Sequence, residues 1–324
     1  MSLPLLARRF PTGLAARLMG LSSGEPPLSI LIYHRVFPRP DRLLGGDPDV
    51  AAFDWQMELV ARHFNVLPLA EAAERLREGT LPPRALCITF DDGYADNHDL
   101  ALPILQKHGL AATFFIATGF LDGGLMWNDR IIESLRAFEG DRLDLGELGM
   151  GAHPTTSLTE RKRAIEAIIG QSKYRPLAER EETARRVQEA AGTAVPHDLM
   201  MTREQVKALA HAGMEIGGHT VNHPILANCD MDTARTEIEV GKRFLEELIG
   251  RPVRLFAYPN GKPGTDYLPE HAELLKSLGF EAAVSTEWGV STRHTDPFQL
   301  HRFTPWDPQP VMFLLRLLAN GRQG

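Results

Sequence analysis

Two pairs of residues carry most of the chemistry available to this sequence. Asp91 and Asp92 stand in the run Thr89-Phe90-Asp91-Asp92-Gly93, directly after the apolar stretch CITF. Adjacent carboxylates at the end of an apolar segment repel one another and are poorly solvated, so they need a cation, a proton or both. Taken alone, the run reads equally well as a tight turn, since Asp-Gly is a common turn pair. His219 and His223 lie four apart in Gly218-His219-Thr220-Val221-Asn222-His223-Pro224, directly after MEIG. That spacing puts both imidazoles on one face of a helical turn, within reach of one metal ion. One carboxylate with two imidazoles leaves coordination positions open, as a catalytic divalent site requires.

The surrounding pattern says what must position these residues. Four times a helical segment ends in Gly and an apolar strand follows at once. Residues 100–108 end at Gly109 before AATFFIAT, and 202–212 end at Gly213 before MEIGGH. Residues 232–249 end at Gly250 before VRLFAYP, and 269–278 end at Gly279 before FEAAVST. Glycine suits the left-handed position just past a helix. Thr202 with Gln205 forms a capping box, and Pro269 fits a first helical turn. Further apolar runs are LSILIYH at 28–34, ALCITF at 85–90 and, more weakly, NVLPL at 65–69.

Short, almost wholly apolar strands alternating with helices predict a parallel sheet covered by helices. The expected class is α/β, with a distorted (β/α) barrel preferred over a doubly wound open sheet. In both, chemistry belongs at the C-terminal ends of the strands. Residues 123–200 depart from the pattern; their charged, helical periodicity predicts a helical insertion.

The chain has 324 residues, 43% of them hydrophobic, with 35 Lys and Arg against 42 Asp and Glu, a net charge of −7. That apolar content excludes a disordered chain. Two cysteines, Cys87 and Cys229, exclude a disulfide-built scaffold and fit a reducing compartment. The mild acidity argues against nucleic acid as a partner. No run approaches about 18 apolar residues, so no membrane-spanning helix is expected. Residues 1–24 read as a basic, apolar arm whose apolar runs are broken by Arg8, Arg9, Pro11 and Arg17. A secretory core is absent, and the arm is either a frayed terminus or a peripheral contact with an anionic membrane. The expected location is therefore the cytoplasm or the inner membrane surface. Residues 25–310 read as one catalytic domain holding the insertion, and 311–324 as an apolar C-terminal helix packed on the core. Oligomeric state is not legible.

TFDDG followed by HTVNH resembles the first two motifs of the polysaccharide deacetylases, carbohydrate esterase family 4 or the NodB-homology group. Residues of about 28–122 and 200–304 follow that family's plan. The resemblance implies a distorted (β/α)7 barrel and a hydrolase that removes N-acetyl groups from a sugar polymer or its lipid-linked precursor. It implies one divalent metal ion, usually zinc, with cobalt, nickel or manganese as alternatives. Asp91 takes the place of the general base, and Asp92, His219 and His223 those of the metal ligands.

Two motifs depart from the family pattern. Where Arg-x-Pro-Tyr is usual, the sequence has Phe256-Ala257-Tyr258-Pro259-Asn260-Gly261. This resembles an exopolysaccharide-associated, permuted subgroup. Tyr258 then supplies a backbone N–H as candidate oxyanion donor, and Arg302 is the candidate for the missing guanidinium. The Leu-x-His motif that brings the general acid is matched better by Ile32-Tyr33-His34 than by Leu300-His301-Arg302. His34 is the expected acid and His301 the reserve. Tyr33, Tyr94, Trp127 and Trp288 are candidates for stacking on sugar faces. Two other readings are a hydrolase of a different linear or cyclic amide and a non-catalytic saccharide-binding or assembly protein.

Overall fold

A computed structural model describes residues 25–304 and 307–320. The arm expected at 1–24 and the last residues of the expected C-terminal helix lie outside them. The chain opens with β1 (Leu28–Tyr33), α1 (Val50–His63), β2 (Asn65–Val66), α2 (Leu69–Glu78) and β3 (Ala85–Phe90). It continues through α3 (Leu102–His108), β4 (Thr113–Ile116), α4 (Trp127–Ala137), β5 (Arg142–Leu145) and β6 (Gly151–Pro154). Then come α5 (Leu158–Ser172), α6 (Leu177–Ala191), α7 (Arg203–His211), β7 (Glu215–Gly218) and α8 (Met231–Ile249). The last elements are β8 (Leu255–Ala257), α9 (Pro269–Ser277), β9 (Ala282–Trp288), β10 (Leu300–Arg302) and α10 (Pro310–Asn320).

The main sheet is parallel throughout and runs β1-β3-β4-β7-β8-β9-β10, with β2 added on β3. Just past β10, Phe303 bridges back to Leu31. The Ile32 N–H donates to the Phe303 carbonyl at 3.1 Å, and the Phe303 N–H donates to Ile30 at 3.0 Å. These bonds close seven strands into a barrel, as expected, and set aside the open doubly wound sheet. The barrel is distorted. One edge of β3 is divided between β2, at Ala85 and Leu86, and β4, at Thr89 and Phe90. The pairing of β9 with β10 also shifts register between Leu300 and Arg302.

Two cores follow from strand alternation. Leu28, Ile30, Ala85, Cys87, Phe115, Leu255, Ala257, Val284 and Leu300 pack together inside the barrel. Leu31, Tyr33, Phe90, Phe114, Ile216, Phe256 and Tyr258 pack on its outer face with the surrounding helices. The helix ends are those the sequence announces. Gly109, Gly250 and Gly279 have φ of 64°, 67° and 77°, and Thr202 and Gln205 form the capping box of α7. On α10, Phe313 and Leu317 are buried, and the Phe313 ring meets Trp55 of α1 edge-on at 5.3 Å.

The insertion is not purely helical. The antiparallel hairpin β5–β6 joins α4, α5 and α6 around a separate small core that includes Trp127, Ile131, Leu135, Leu143, Ile168 and Val187. Among the described residues no helix is long and apolar enough to cross a membrane.

Candidate active site

The alternation that builds the inner core also aims the site. On β3, Ala85 and Cys87 face inward, and the same parity continues to Thr89 and then Asp91. On β1, Ile30 faces inward, which gives His34 the inward parity one step beyond the strand. Tyr33 pairs with Phe90 in register, and the Asp91 N–H donates to the Tyr33 carbonyl at 3.0 Å, so His34 and Asp91 leave the barrel side by side. On β7, Gly217 faces inward and His219 follows with the same parity. A Cβ on Gly217 would come within 2.4 Å of the Phe115 ring, so only glycine lets β7 pass this close.

Asp91 and Arg302 form a buried, two-pronged ion pair. Arg302 Nη1 donates to Asp91 Oδ1 at 2.7 Å and Nη2 to Oδ2 at 2.8 Å. The guanidinium also donates through Nε to the Ser285 carbonyl at 2.9 Å and through Nη1 to Thr89 Oγ1 at 3.3 Å. Burial pushes the Asp91 carboxyl up, but Arg302 and the nearby His219 outweigh it and hold the group below the usual carboxylate range.

Asp92 stands beside this pair at φ 77°, a left-handed conformation that turns its carboxylate away from the strand direction. Its Oδ1 lies 3.3 Å from His219 Nε2 and 3.4 Å from His223 Nε2. The three candidate ligand atoms all lie within 4.8 Å of one another. His219 Nδ1 is 2.7 Å from the Ala257 carbonyl, which can only accept, so Nδ1 carries a proton. Burial pushes the ring's pKa down, but Asp92 at Nε2 and Asp91 outweigh it and pull it up; a cation would take the Nε2 lone pair in place of that proton. His223 is pushed down to about 3, by burial first, which keeps the imidazole neutral as a ligand must be. One carboxylate and two imidazole lone pairs converging on one point fit a divalent cation.

The two histidines do not sit on a helical turn as expected from their spacing. The segment after β7 is irregular, with Thr220 at φ 66° and His223 at φ 50°. The rings still converge, 4.8 Å apart between centroids. Side chains, rather than a helix, hold this loop. Glu237 of α8 accepts from the Val221 N–H at 3.0 Å, the Asn222 N–H at 2.8 Å and Asn222 Nδ2 at 2.7 Å. Thr220 Oγ1 accepts from the His223 N–H at 3.0 Å. Gly241 lets α8 approach, since a Cβ there would be 3.1 Å from the Thr220 carbonyl.

Asp91, Asp92, His219, His223 and His34 open into one cavity of about 390 Å³. The insertion supplies its opposite wall through Trp127, Asn128, Asp129, Ile132, Ile169 and Lys173. Arg35, Asp47, Tyr94, Asn260 and Thr286 also line it. His34 is exposed at the rim. His301 is not among the lining residues. It has the outward parity on β10, and its Nδ1 lies 3.1 Å from the Val290 carbonyl.

Three expectations are corrected. Tyr258 does not present a free N–H to the cavity. That group donates to the Val284 carbonyl at 3.3 Å in the β8–β9 ladder, while the side chain points outward and stacks on Tyr267 at 3.6 Å. The register of β9 decides this, and it is invisible in the local sequence. Tyr33 is not a stacking platform either. It has outward parity and is buried, its hydroxyl donating to Gln56 at 3.0 Å. Tyr94 and Trp127 do line the cavity, whereas Trp288 is exposed outside it.

Several cavity residues carry no local signal in the sequence. Asp129 is buried and accepts from the Tyr94 hydroxyl at 3.0 Å. Burial pushes its carboxyl up to about 7, against the opposing pull of Arg35 and of the Tyr94 hydrogen bond. Arg35 pairs with Asp96 at 2.8 Å and lies 4.6 Å over the Tyr94 ring.

Comparison with known proteins bears on the fold and on the family. In three dimensions the chain is similar to the Streptococcus pyogenes deacetylase PplD in complex with acetate, with a TM-score of 0.60, 21% identity, and coverage of 91% of this chain and 98% of that one. It is also similar to IcaB from Ammonifex degensii, with a TM-score of 0.57, 20% identity and coverage of 92% and 97%. At this level of identity the likeness shows the fold. In sequence it is 22% identical to YxkH of Bacillus subtilis (strain 168) over 276 residues, 85% of this chain and 70% of that protein. The family model for polysaccharide deacetylase matches residues 78–283, which run from the end of α2 to the start of β9 and include Asp91, Asp92, His219 and His223. With more than half of its length matched, the chain belongs to the polysaccharide deacetylase family, a family of hydrolases.

Proposed function

We propose that the protein hydrolyses the N-acetyl groups of an N-acetylated sugar polymer or its lipid-linked precursor, using one divalent cation held by Asp92, His219 and His223, with zinc the first choice. The observation that carries this reading is the pairing of two unlike carboxylates at one strand end. Asp91 is clamped by Arg302, while Asp92 is turned to the two imidazoles. Neighbouring carboxylates held in different environments take different roles.

When bound, the cation supplies Lewis-acid polarisation of the acetyl carbonyl and acidifies a water, so that a weak base suffices. Asp91, kept ionised by Arg302, accepts the proton of the attacking water. His34, exposed at the rim and level with Asp91, delivers a proton to the nitrogen as the C–N bond breaks. Without that proton the leaving group would be an amide anion. The products are acetate and a free amine. The guanidinium that completes this site comes from β10 and the acid from β1, which fits the permuted, FAYPNG-type subgroup.

The test is acetate release from N-acetylglucosamine oligomers and lipid-linked N-acetyl sugars, after chelation and after zinc is restored. A panel of small linear and cyclic amides is run alongside. Zinc-dependent acetate release from the sugars supports the reading. Turnover confined to the small amides contradicts it, as does glycan binding with no acetate.

A further inference from the structure

We propose that Asp129, carried into the cavity by the insertion, is a substrate-positioning residue whose carboxylate accepts hydrogen bonds from hydroxyl groups of the sugar ring whose acetamide faces Asp91 and Asp92. This rests on the deacetylase reading above. Asp129 is 3% exposed, yet among the described residues it has no ion-pair partner within 4.0 Å and receives one hydrogen bond, from the Tyr94 hydroxyl. A carboxyl group, ionised or not, offers more hydrogen-bonding positions than the one Tyr94 fills, and Asp129 turns the rest toward the cavity it lines. The nearby cation, Arg35, does not fill them, because it is bound to Asp96 and stacked on Tyr94.

A second acceptor on the same wall is also unfilled. Asn128 Oδ1 is buried without a partner, and Asn128 lines the same cavity. The open positions on Asp129, in the same cavity as the metal-ligand cluster, call for a ligand rich in donors such as sugar hydroxyls; Asn128 Oδ1, which has almost no accessible surface, would join only after a small side-chain movement. Trp127, next in the chain, adds a flat ring to the wall. Placement in the first turn of α4 suits an acidic residue electrostatically, but that benefit is equally available on the outer side of the helix. It does not explain why the carboxylate is buried in the cavity wall. Because the hydroxyl of Tyr94 already donates to one oxygen, the carboxylate is held in place before the sugar arrives.

The experiment compares wild type, Asp129→Asn and Tyr94→Phe, each zinc-loaded and checked for folding by its melting temperature. Binding of an N-acetylglucosamine trimer is measured by calorimetry. Acetate release is measured on the trimer and, separately, on phenyl acetate, which carries no sugar hydroxyls. The expected result is trimer affinity weakened about ten-fold or more in Asp129→Asn, with KM raised to match. The loss in kcat/KM on phenyl acetate should be several-fold smaller. Unchanged trimer affinity in a folded Asp129→Asn protein would overturn the proposal. So would equal losses on trimer and phenyl acetate, which indicate a structural or chemical role. If wild type releases no acetate from any acetylated sugar, the deacetylase reading fails; the calorimetric comparison still decides separately whether Asp129 contacts the glycan.

Discussion

Arg302 and Asp91 are 211 residues apart in the chain and meet through two parallel hydrogen bonds of 2.7 and 2.8 Å inside the barrel. Parallel bonds from a planar guanidinium fix both the orientation and the ionisation of the carboxylate. β3 and β10 reach each other only because β1 pairs with β3 on one side and with Phe303 on the other. Closure of the barrel thus brings Asp91 and its guanidinium partner together.

Removing this clamp should change the pH profile. In the protein, Arg302 holds Asp91 below the usual carboxylate range, so this carboxylate is ionised through the neutral region. Its contribution to stability is present above the unfolded pKa and lost as pH falls through the folded one. In Arg302→Met, burial is opposed only by the nearby histidines, and Asp91 moves up. The acidic limb of kcat/KM should shift to higher pH. Stability at neutral pH should fall by about 3–5 kcal/mol, because a buried charge is left unpaired. In the variant, stability should decline as pH rises. A pH–rate profile with parallel denaturant unfolding checks both; an unmoved acidic limb would count against the clamp.

The cation site makes a separate prediction. Asp92→Ala and His219→Ala should each weaken zinc binding at least about 100-fold by calorimetry, since outer partners alone are worth about 10- to 100-fold. Glu237→Gln, which loosens the loop but removes no ligand, should fall between these variants and wild type. Equal zinc affinity across the set would show that the cation binds elsewhere.

The two acid candidates separate by geometry. His34 opens into the cavity, whereas His301 has outward parity and bonds near Val290. His34→Ala should lower kcat by about 10²- to 10⁴-fold, the usual worth of a positioned acid. His301→Ala should stay within a few-fold. Steady-state kinetics on one acetylated glycan decides it, and the reverse pattern would move the acid to His301.

Packing around β7 can be tested without turnover. Gly217→Ala puts a methyl group against the Phe115 ring, which already fills the inner face. Overpacking of this kind costs about 1–3 kcal/mol. The midpoint of urea unfolding should fall accordingly. Because His219 is two residues further on, zinc affinity should fall with it. A variant as stable as wild type would mean that the barrel interior has slack at this point.

Much of this arrangement is legible in the sequence because it is local. Gly109, Gly250 and Gly279 end helices and announce strands, and the two motifs follow strands directly. What stays hidden depends on register or on distant partners. β10 is three residues long and too short to show alternation. The β5–β6 hairpin is enclosed in charged, helix-periodic sequence, so its pattern is masked. Tyr258 follows β8 as expected, yet the register of β9 engages its N–H. Glu237 reads as one more charge on an amphipathic helix, although it holds the His219–His223 loop. Asp129 stands in a segment with no strand signal, and only the folded insertion brings it beside Tyr94.

The central claim is that Asp91, clamped by Arg302, is the base of a sugar deacetylation at the Asp92–His219–His223 site. Its most direct test is acetate release from N-acetylglucosamine oligomers by wild type and Asp91→Asn protein, with zinc content measured in both. The account predicts about 10²-fold or greater loss of kcat in Asp91→Asn at unchanged zinc content. Intact turnover in Asp91→Asn with zinc still bound would contradict it.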